Sequence, residues 1–379
     1  MIQIEKYQAG EIIKSFDYKY FLPTLINKEW TWSDPKVNKL LEKASFELGQ
    51  LNSFAKLVPN IDLFIHLHIT KEAVVSSKIE GTQTHFDEAF LQKDNINPDR
   101  KDDWQEVQNY TEALNNAITD LESLPISSRL ILKTHKILMQ GVRGNKKTPG
   151  EYRKSQNWIG GKSLADAVFI PPHHQHLNEL LSDLENYIHN ENLDIPLLIK
   201  AAILHYQFET IHPFLDGNGR IGRLLITLFL IEKKVMNKPL LYLSSFFEKD
   251  KSLYYDNLTR VRTHNDMLQW VKYFLVGIAQ TAQLATQTLD NIISLKSENE
   301  KIIQDFFGKR IKTGLILHNH LLKQPLVSVK DVQIVCSLTA KSAGDLISLF
   351  VEKKILNELT GQFRNRIFMY EPYLNLFDT

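Results

Sequence analysis

Apolar residues recur at helical spacing along most of the chain, which predicts a protein built mainly from helices. Within residues 37–55 the apolar positions follow the i, i+3, i+4 repeat of a helix with one buried face. Asp34 and Pro35 precede this segment, as a capping side chain and a proline in the first turn. By the same reasoning, further helices are predicted over residues 62–80, 103–121, 127–140, 176–189, 195–210, 219–234, 253–262 and 266–289.

Two stretches interrupt the helical pattern. Residues 141–172 are rich in Gly, Lys and Pro, and the sequence Trp-Ile-Gly-Gly-Lys at 158–162 is typical of a hairpin tip. Residues 295–301 are polar, and the pattern changes beyond them, which indicates a boundary. We therefore predict three domains, an N-terminal helical region over 1–100, a core over 101–294 and a C-terminal domain over 295–379.

The C-terminal domain has the element order of a winged helix. Short helices are predicted over 329–336 and 340–353, and residues 355–370 alternate around Thr360-Gly361 as a small hairpin would. Winged helices bind DNA or dock onto proteins, and in an enzyme we favour docking. The basic signal is weak, since Asp345 and Glu352 accompany the cations Lys341, Lys353, Lys354, Arg364 and Arg366.

Composition narrows the protein class but not its chemistry. The 379 residues are 43% hydrophobic and 23% charged, with a net charge of +1, so no field of the whole chain favours nucleic acid. A single cysteine, Cys336, excludes an intrachain disulfide. The N-terminus lacks the pattern of a signal peptide, and no apolar run reaches the length of a membrane span. We predict a cytoplasmic protein.

One segment carries several groups suited to phosphate chemistry. A proline follows His212, and because proline disfavours helix in the residue before it, His212 is predicted to lie in a loop. Residues 216–219 form a glycine-rich turn into a helix whose free N–H groups favour an anion. Arg220 and Arg223 are three positions apart and can face the same phosphates. His212 is a candidate base, and Asp216 is a candidate Mg²⁺ ligand.

The run from His212 to Arg223 resembles the Fic family motif, His-x-Phe-x-(Asp/Glu)-Gly-Asn-Gly-Arg-x-x-Arg, and every specified position matches. Residues 149–153 and 158–160 resemble the run into the family's flap, and residues 170–173 resemble its exit. The resemblance covers roughly residues 60–290. It implies an all-α fold, a Fic-type helical bundle with a small hairpin flap, here followed by a winged helix.

The resemblance also implies an activity, transfer of AMP from ATP to a Tyr, Thr or Ser hydroxyl of a protein, with release of pyrophosphate. His212 would take the proton of the hydroxyl, and Asp216 would hold Mg²⁺, with Mn²⁺ as an alternative. Arg220 would hold the β-phosphate region and Arg223 the γ-phosphate. The flap would pair with the backbone of the target through Trp158, Ile159 and Gly160. The implied nucleotide-binding residues are Glu80, Asp216, Gly217, Asn218, Gly219, Arg220, Ile221, Gly222, Arg223, Tyr255 and Arg262.

A second pattern, Ser76-x-x-x-Glu80-Gly81, resembles the family's inhibitory motif. Glu80 is predicted at a helix C-terminus, where the helix dipole disfavours a negative charge. Such a glutamate is usually just exposed to solvent, but beside a complete Fic motif we interpret it as functional. The hypothesis is that Glu80 pairs with Arg223 and keeps the γ-phosphate from its productive position.

Other functions remain open at this point. Removal of AMP would recruit Glu80 as an acid, and transfer of phosphocholine from another nucleotide is not excluded by the motif. Intact Gly217 and Gly219 argue against a kinase-like relative in which lysine replaces a motif glycine. A DNA-binding regulator with a nucleotide-sensing Fic domain is the alternative from another class. The expected partners are a target protein at the flap and DNA or protein at the winged helix, without a membrane. A homodimer is left open.

Overall fold

The computed structural model describes residues 1–15, 17–58, 61–141, 147–361 and 366–377. Helices account for most of these residues, as the hydrophobic pattern predicts. In chain order they are α1 Pro35–Leu57, α2 Asp62–Ile79, α3 Lys101–Asp120, α4 Ser128–Leu138, α5 Leu177–His189, α6 Leu197–Ile211, α7 Asn218–Glu232, α8 Ser244–Lys249, α9 Lys251–His264, α10 Met267–Phe306, α11 Ile311–Leu321, α12 Val329–Cys336, α13 Ala340–Glu352 and α14 Glu371–Leu374.

The first 31 residues contain four short strands that the helical pattern did not predict. They are β1 Ile2–Gln3, β2 Gly10–Lys14, β3 Lys19–Pro23 and β4 Trp30–Thr31. β2 and β3 form an antiparallel hairpin, and β1 pairs with β4 in parallel. Each strand has at most five residues, which is too short for alternation to be distinguished from a loop.

The centre of the bundle is α6, which is buried on all sides from Leu198 to Ile211. A helix without a polar face belongs inside a protein, and α5, α7 and α10 surround it. α7 follows α6 directly in the chain and is buried from Gly222 to Leu230. The two central helices therefore present the turn between them, residues 212–217, at one end of the bundle.

The predicted boundary at 295–301 is not a linker, because α10 continues through it to Phe306. One face of α10 stays packed through this region, because buried residues recur there at helical spacing, at Ile292, Asn299 and Ile303. The polar residues lie on the other face of the helix. The division into three domains stays a prediction. α1 packs along α10 and ties the N-terminal part of the chain to this long helix.

Beyond α10 the chain forms the predicted order of helix, helix and hairpin. β5 Leu326–Ser328 leads into α12, and β6 Asn357–Glu358 and β7 Ile367–Met369 follow α13. The sheet order is β5-β7-β6, with both pairs antiparallel. Arg364, predicted in the hairpin, lies outside the described residues. In the described part of the chain no single helix could span a membrane, although α12 and α13, bent by 105°, together meet the length and composition.

Candidate functional site

His212 follows the last residue of α6 in a left-handed conformation, with φ 50° and ψ 59°. The prediction that it lies outside the helix is confirmed. Its Nδ1 is 3.3 Å from the carbonyl oxygen of Glu209, which accepts a hydrogen bond when Nδ1 carries the proton. That tautomer leaves Nε2 as an acceptor. Burial lowers the pKa of His212 to about 4, and Arg262 and Arg153 add to this effect, so the ring is neutral near pH 7.

Arg153 holds the backbone of His212 from the flap side. Its Nε donates to the carbonyl of His212 at 3.0 Å, and one terminal nitrogen donates to the carbonyl of Pro172 at 2.5 Å. Asn157 donates to the same His212 carbonyl at 3.1 Å and to the carbonyl of Phe214 at 2.8 Å. A guanidinium at the C-terminus of α6 complements the helix dipole. Hydrogen bonds therefore connect both ends of the flap to the backbone around His212, the candidate base.

The turn after His212 is closed by Asn218. Its side chain accepts from the N–H of Phe214 at 2.8 Å and donates to the carbonyl of Phe214 at 2.9 Å. Gly217 has φ +78°, and a Cβ there would lie 2.9 Å from the sulfur of Met139, so glycine is required. The Asp216 side chain is 43% exposed, and its Oδ1 accepts from the N–H of Gly217. Asp216 therefore presents its carboxylate to solvent.

His135 supports this turn, which the sequence analysis did not predict. It lies on α4, its Nδ1 accepts from the N–H of Gly150 at 2.9 Å, and its Nε2 is 3.0 Å from the carbonyl of Asp216. Its ring stacks on Phe214 at 3.7 Å between centroids. Burial lowers the pKa of His135 to about 4, which fits a neutral ring that accepts at one nitrogen and donates at the other. The only feature of the sequence that pointed to His135 was its position on the predicted buried face of a helix.

α7 begins at Asn218 and brings two arginines to the same end of the bundle. Arg220 donates to Glu106 of α3 at 3.0 Å and lies 3.6 Å from Asp216. Arg223 is enclosed by α2, where its Nε donates to the hydroxyl of Ser76 at 2.8 Å and a terminal nitrogen donates to Glu80 at 2.7 Å. Arg220, Arg223, Ser76 and Glu80 were predicted from the sequence, whereas Glu106 was not.

Glu80 caps the C-terminus of α2 and lies over the first turn of α7. A Cβ added at Gly219 would be 2.3 Å from Glu80 Oε1, so glycine is what permits this approach. Burial would raise the pKa of Glu80, but the charge of Arg223 outweighs it and holds the pKa below its usual value. Glu80 is therefore ionised, and its carboxylate occupies the anion-favouring N-terminus of α7.

The remaining predicted residues lie at the edges of this site. Tyr255 is 37% exposed, whereas Tyr254 is buried and 2.9 Å from His205. Arg262 stacks on Phe169 at 4.0 Å, at the flap exit. The flap itself is a single antiparallel bridge, Ile159 to Phe169, and Trp158 beside it is 41% exposed. Ile221 and Gly222 belong to the buried part of α7, and Gly81 follows Glu80 with φ +107°.

Glu209 is a further buried carboxyl group that the sequence analysis did not single out. It lies on α6 and packs so closely on Gly222 that a Cβ there would be 2.1 Å from Glu209 Oε1. Burial raises the pKa of Glu209 to about 7. Within the described residues, no group of three or more His, Cys, Asp or Glu side chains forms a metal site. A Mg²⁺ ion held by Asp216 would therefore take its other ligands from phosphates and water, as Mg²⁺ commonly does.

Two family models match the chain. Residues 38–119 match the model described as Fic/DOC family N-terminal, and residues 125–230 match the model described as Fic/DOC family. A probable protein adenylyltransferase of Aquifex aeolicus is 30% identical over 171 residues, which cover 45% of this chain and 50% of that protein. Protein adenylyltransferase Fic of Culex quinquefasciatus is 30% identical over 155 residues, covering 40% and 28%. The chain spans half or less of the length of these curated relatives.

Solved structures share the fold. A Fic family protein from Desulfovibrio desulfuricans aligns over 90% of this chain and 98% of that chain, with a TM-score of 0.57 and 19% identity. Fic-1 of C. elegans aligns over 67% of this chain and 72% of that chain, with a TM-score of 0.51 and 24% identity. The Fic-type helical arrangement predicted from the sequence is confirmed.

Proposed function

We propose, since the chain belongs to the Fic/DOC family, that it transfers AMP from ATP to a hydroxyl group of a protein and releases pyrophosphate. The proposal rests mainly on one observation. A neutral His212 lies at the same end of the bundle as the N-terminus of α7 and the two arginines of that helix. This is a base beside an anion site. The adenylyltransferase names of the relatives support AMP as the transferred group.

In the proposed reaction, the hydroxyl oxygen of the target attacks the α-phosphorus of ATP. The bond between this phosphorus and the oxygen bridging to the β-phosphate breaks, and the proton of the hydroxyl passes to Nε2 of His212. The Glu209 carbonyl keeps the other ring nitrogen protonated, which fixes the tautomer needed for this step. Arg153 and Asn157 hold the backbone of His212, so the ring starts from a defined position.

The phosphates would lie on the N–H groups of α7 with Arg220 and Arg223 as clamps. Asp216 fits a Mg²⁺ ion, because its carboxylate is exposed at the entrance to this turn. Bound Mg²⁺ would neutralise charge on the phosphates. Nε and one terminal nitrogen of Arg223 donate to Ser76 and Glu80, so a phosphate that used this terminal nitrogen would have to displace Glu80.

The same contacts support a proposed inhibition by α2. The Glu80 carboxylate and the γ-phosphate are both anions that fit the arginine and the free N–H groups of α7. They exclude each other, because Glu80 lies within van der Waals distance of Gly219. The chain is therefore proposed to be restrained until α2 moves.

A second candidate reaction is removal of AMP from a modified protein. Glu80 is the acid that such a reaction would recruit, and its charge acts on the pKa of His212, the candidate base. The C-terminal domain is proposed to be a winged helix that docks onto protein, with DNA binding as the alternative. Salt-dependent duplex binding by the full chain would favour DNA.

The test of the proposed function is label transfer from ATP carrying the label at either the α- or the γ-phosphorus. We expect the Glu80→Gly variant to gain α-label on protein, and neither the γ-labelled reaction nor the Glu80→Gly/His212→Ala double variant to do so. Incorporation of γ-label would show phosphoryl transfer instead. Equal α-labelling by the double variant would show that His212 is not the base.

A further inference from the structure

A cavity of about 920 Å³ lies beside α2, away from the site described above. It is bounded by α2, α8, α10 and residues 82–86, with Phe377 from the C-terminal end of the chain. Small-molecule sites typically have volumes of about 300–1,000 Å³, so the cavity is large enough for an organic ligand.

Five side chains that line this cavity each carry a buried polar atom without a hydrogen-bond partner in the part of the chain that the structure describes. Each of these side chains is more than nine-tenths buried. The atoms are His68 Nε2, Glu72 Oε2, Thr82 Oγ1, Thr84 Oγ1 and Tyr242 OH. Buried polar atoms in folded proteins are nearly always hydrogen-bonded, so five in one cavity point to an occupant that supplies partners.

The lining defines the chemistry of that occupant. Four cationic side chains and two carboxyl groups line the cavity. Arg100 pairs with Glu88 at 2.8 Å outside this lining, so a smaller excess of positive charge remains, and this excess favours an anion. Lys78 pairs with Glu248 at 2.8 Å, and Lys249 lies next to this pair. Aromatic and aliphatic side chains share the apolar part of the lining, and the aromatic rings suit a flat ring system. The aromatic residues of the lining are Phe86, Tyr242, Phe246 and Phe377.

The cavity shares α2 with the restraint on Arg223. Glu72 lies one turn before Ser76, and its Oε1 accepts from Tyr110 at 3.0 Å and from Ser244. Its other oxygen is the one without a partner. An occupant that binds Glu72 would therefore contact the same helix whose end holds Arg223 through Ser76 and Glu80.

We infer that this cavity binds a small organic anion with an aromatic body, at a site separate from the ATP site proposed above. The buried lining residues offer hydroxyl, imidazole and carboxyl groups, and Lys78 and Lys249 add positive charge. Binding at this place does not depend on AMP transfer, so the inference can fail or succeed independently of the proposed function.

The experiment uses 1-anilinonaphthalene-8-sulfonate as the probe, because it combines fused aromatic rings with one sulfonate. Fluorescence titration of the full chain is expected to show one saturable site. Leu284 lines the cavity and is 49% exposed, so Leu284→Trp fills the cavity without removing core packing. We expect this variant to weaken probe binding by about tenfold or more, which corresponds to one strong contact.

The matched control is Leu253→Trp, at a leucine that is 45% exposed on α9 and does not line the cavity. It should bind the probe as the wild type does. Lys249→Ala should weaken binding several-fold, and high salt should reduce that difference. The corresponding control is Lys312→Ala on α11, which should have no effect.

Three outcomes would overturn the inference. They are the absence of saturable probe binding, equal affinity in Leu284→Trp and the wild type, and complete displacement of the probe by ATP. The last result would place the probe in the nucleotide site. Near-ultraviolet circular dichroism shows that each variant is folded, and Lys249→Ala keeps the test valid if Leu284→Trp is not.

Discussion

The two arginines at the start of α7 are each held by a carboxylate, but the two carboxylates have different surroundings. Glu106 lies inside α3, and its side chain is 14% exposed beside an Arg220 that is 5% exposed. Glu80 lies at the end of α2, and its side chain is 33% exposed beside an Arg223 that is 1% exposed. The α3 contact is therefore enclosed by packed helix, whereas the α2 contact is reached from solvent on the carboxylate side.

This difference distinguishes the structural support that Glu106 gives to Arg220 from the proposed restraint of Arg223 by Glu80. Without Glu106, the buried Arg220 would keep only the more distant carboxylate of Asp216, at 3.6 Å. Glu80 can leave Arg223 by a change at one helix end, and the hydroxyl and carbonyl of Ser76 remain as partners of Arg223. Lys251 donates to the carbonyl of Ile79 and also holds this end of α2.

The largest effect is expected from Glu80→Gly. It removes the carboxylate that competes with a phosphate, so AMP transfer should rise about tenfold or more, the worth of one charge-assisted hydrogen bond. The measurement is the initial rate of label incorporation from α-labelled ATP. Glu122→Gly is the control, because Glu122 is an exposed glutamate just beyond the C-terminus of α3. A similar rise in both variants would contradict a specific role for Glu80.

Glu106→Ala should have the opposite effect to Glu80→Gly. It should lower the stability of the protein without raising the rate of AMP transfer. It leaves Arg220 buried without its carboxylate on α3, and the free energy of unfolding should fall by about 3 kcal/mol. Urea unfolding measures this. Glu112→Ala is the control on the exposed face of the same helix and should cost far less. If the two variants are equally stable, the Arg220 contact is not the support described here.

Ser76→Ala should have a smaller effect on the same restraint. It removes the acceptor of Arg223 Nε but leaves the Ser76 carbonyl and Glu80, so stability should fall by about 1–2 kcal/mol and transfer should rise only a few-fold. Ser77→Ala is the control, since Ser77 is equally buried and its hydroxyl has no partner in the described structure. A full release of activity by Ser76→Ala would place the restraint on Ser76 rather than on Glu80.

The smallest effect is expected from mild acid. His212 must be neutral to accept a proton, and burial lowers its pKa to about 4. The rate falls only when pH drops through the pKa, so transfer by Glu80→Gly should change little between about pH 8 and pH 6. A pH–rate profile measures this. A half-maximal rate near the ordinary histidine value of about 6.5 would show that the ring is not buried as described.

The contact between Glu80 and Arg223 was easier to predict from the sequence than the contact between Glu106 and Arg220. Ser76, Glu80 and Arg223 belong to two patterns with fixed spacing, and the structure brings these residues together. Glu106 has no such pattern, because it meets Arg220 from 114 positions away and only the packing of α3 on α7 sets the distance. Its signal was slight, a carboxylate three residues after buried Asp103 and four before Tyr110.

The supports of His212 were missed for the same reason. His135 and Arg153 bond to backbone carbonyls of Asp216 and His212, and a carbonyl carries no sequence signature. The helices themselves were predictable because their periodicity is local, whereas the continuation of α10 past residue 295 depended on partners for Asn299 and Ile303 that lie far along the chain.

The most direct test of the central claim is the intact mass of Glu80→Gly after incubation with ATP and Mg²⁺, beside the wild type and the Glu80→Gly/His212→Ala double variant. We expect a gain of one or more AMP masses on Glu80→Gly, much less on the wild type and none on the double variant. A gain of a phosphate mass, or equal AMP gain in all three proteins, would contradict the central claim.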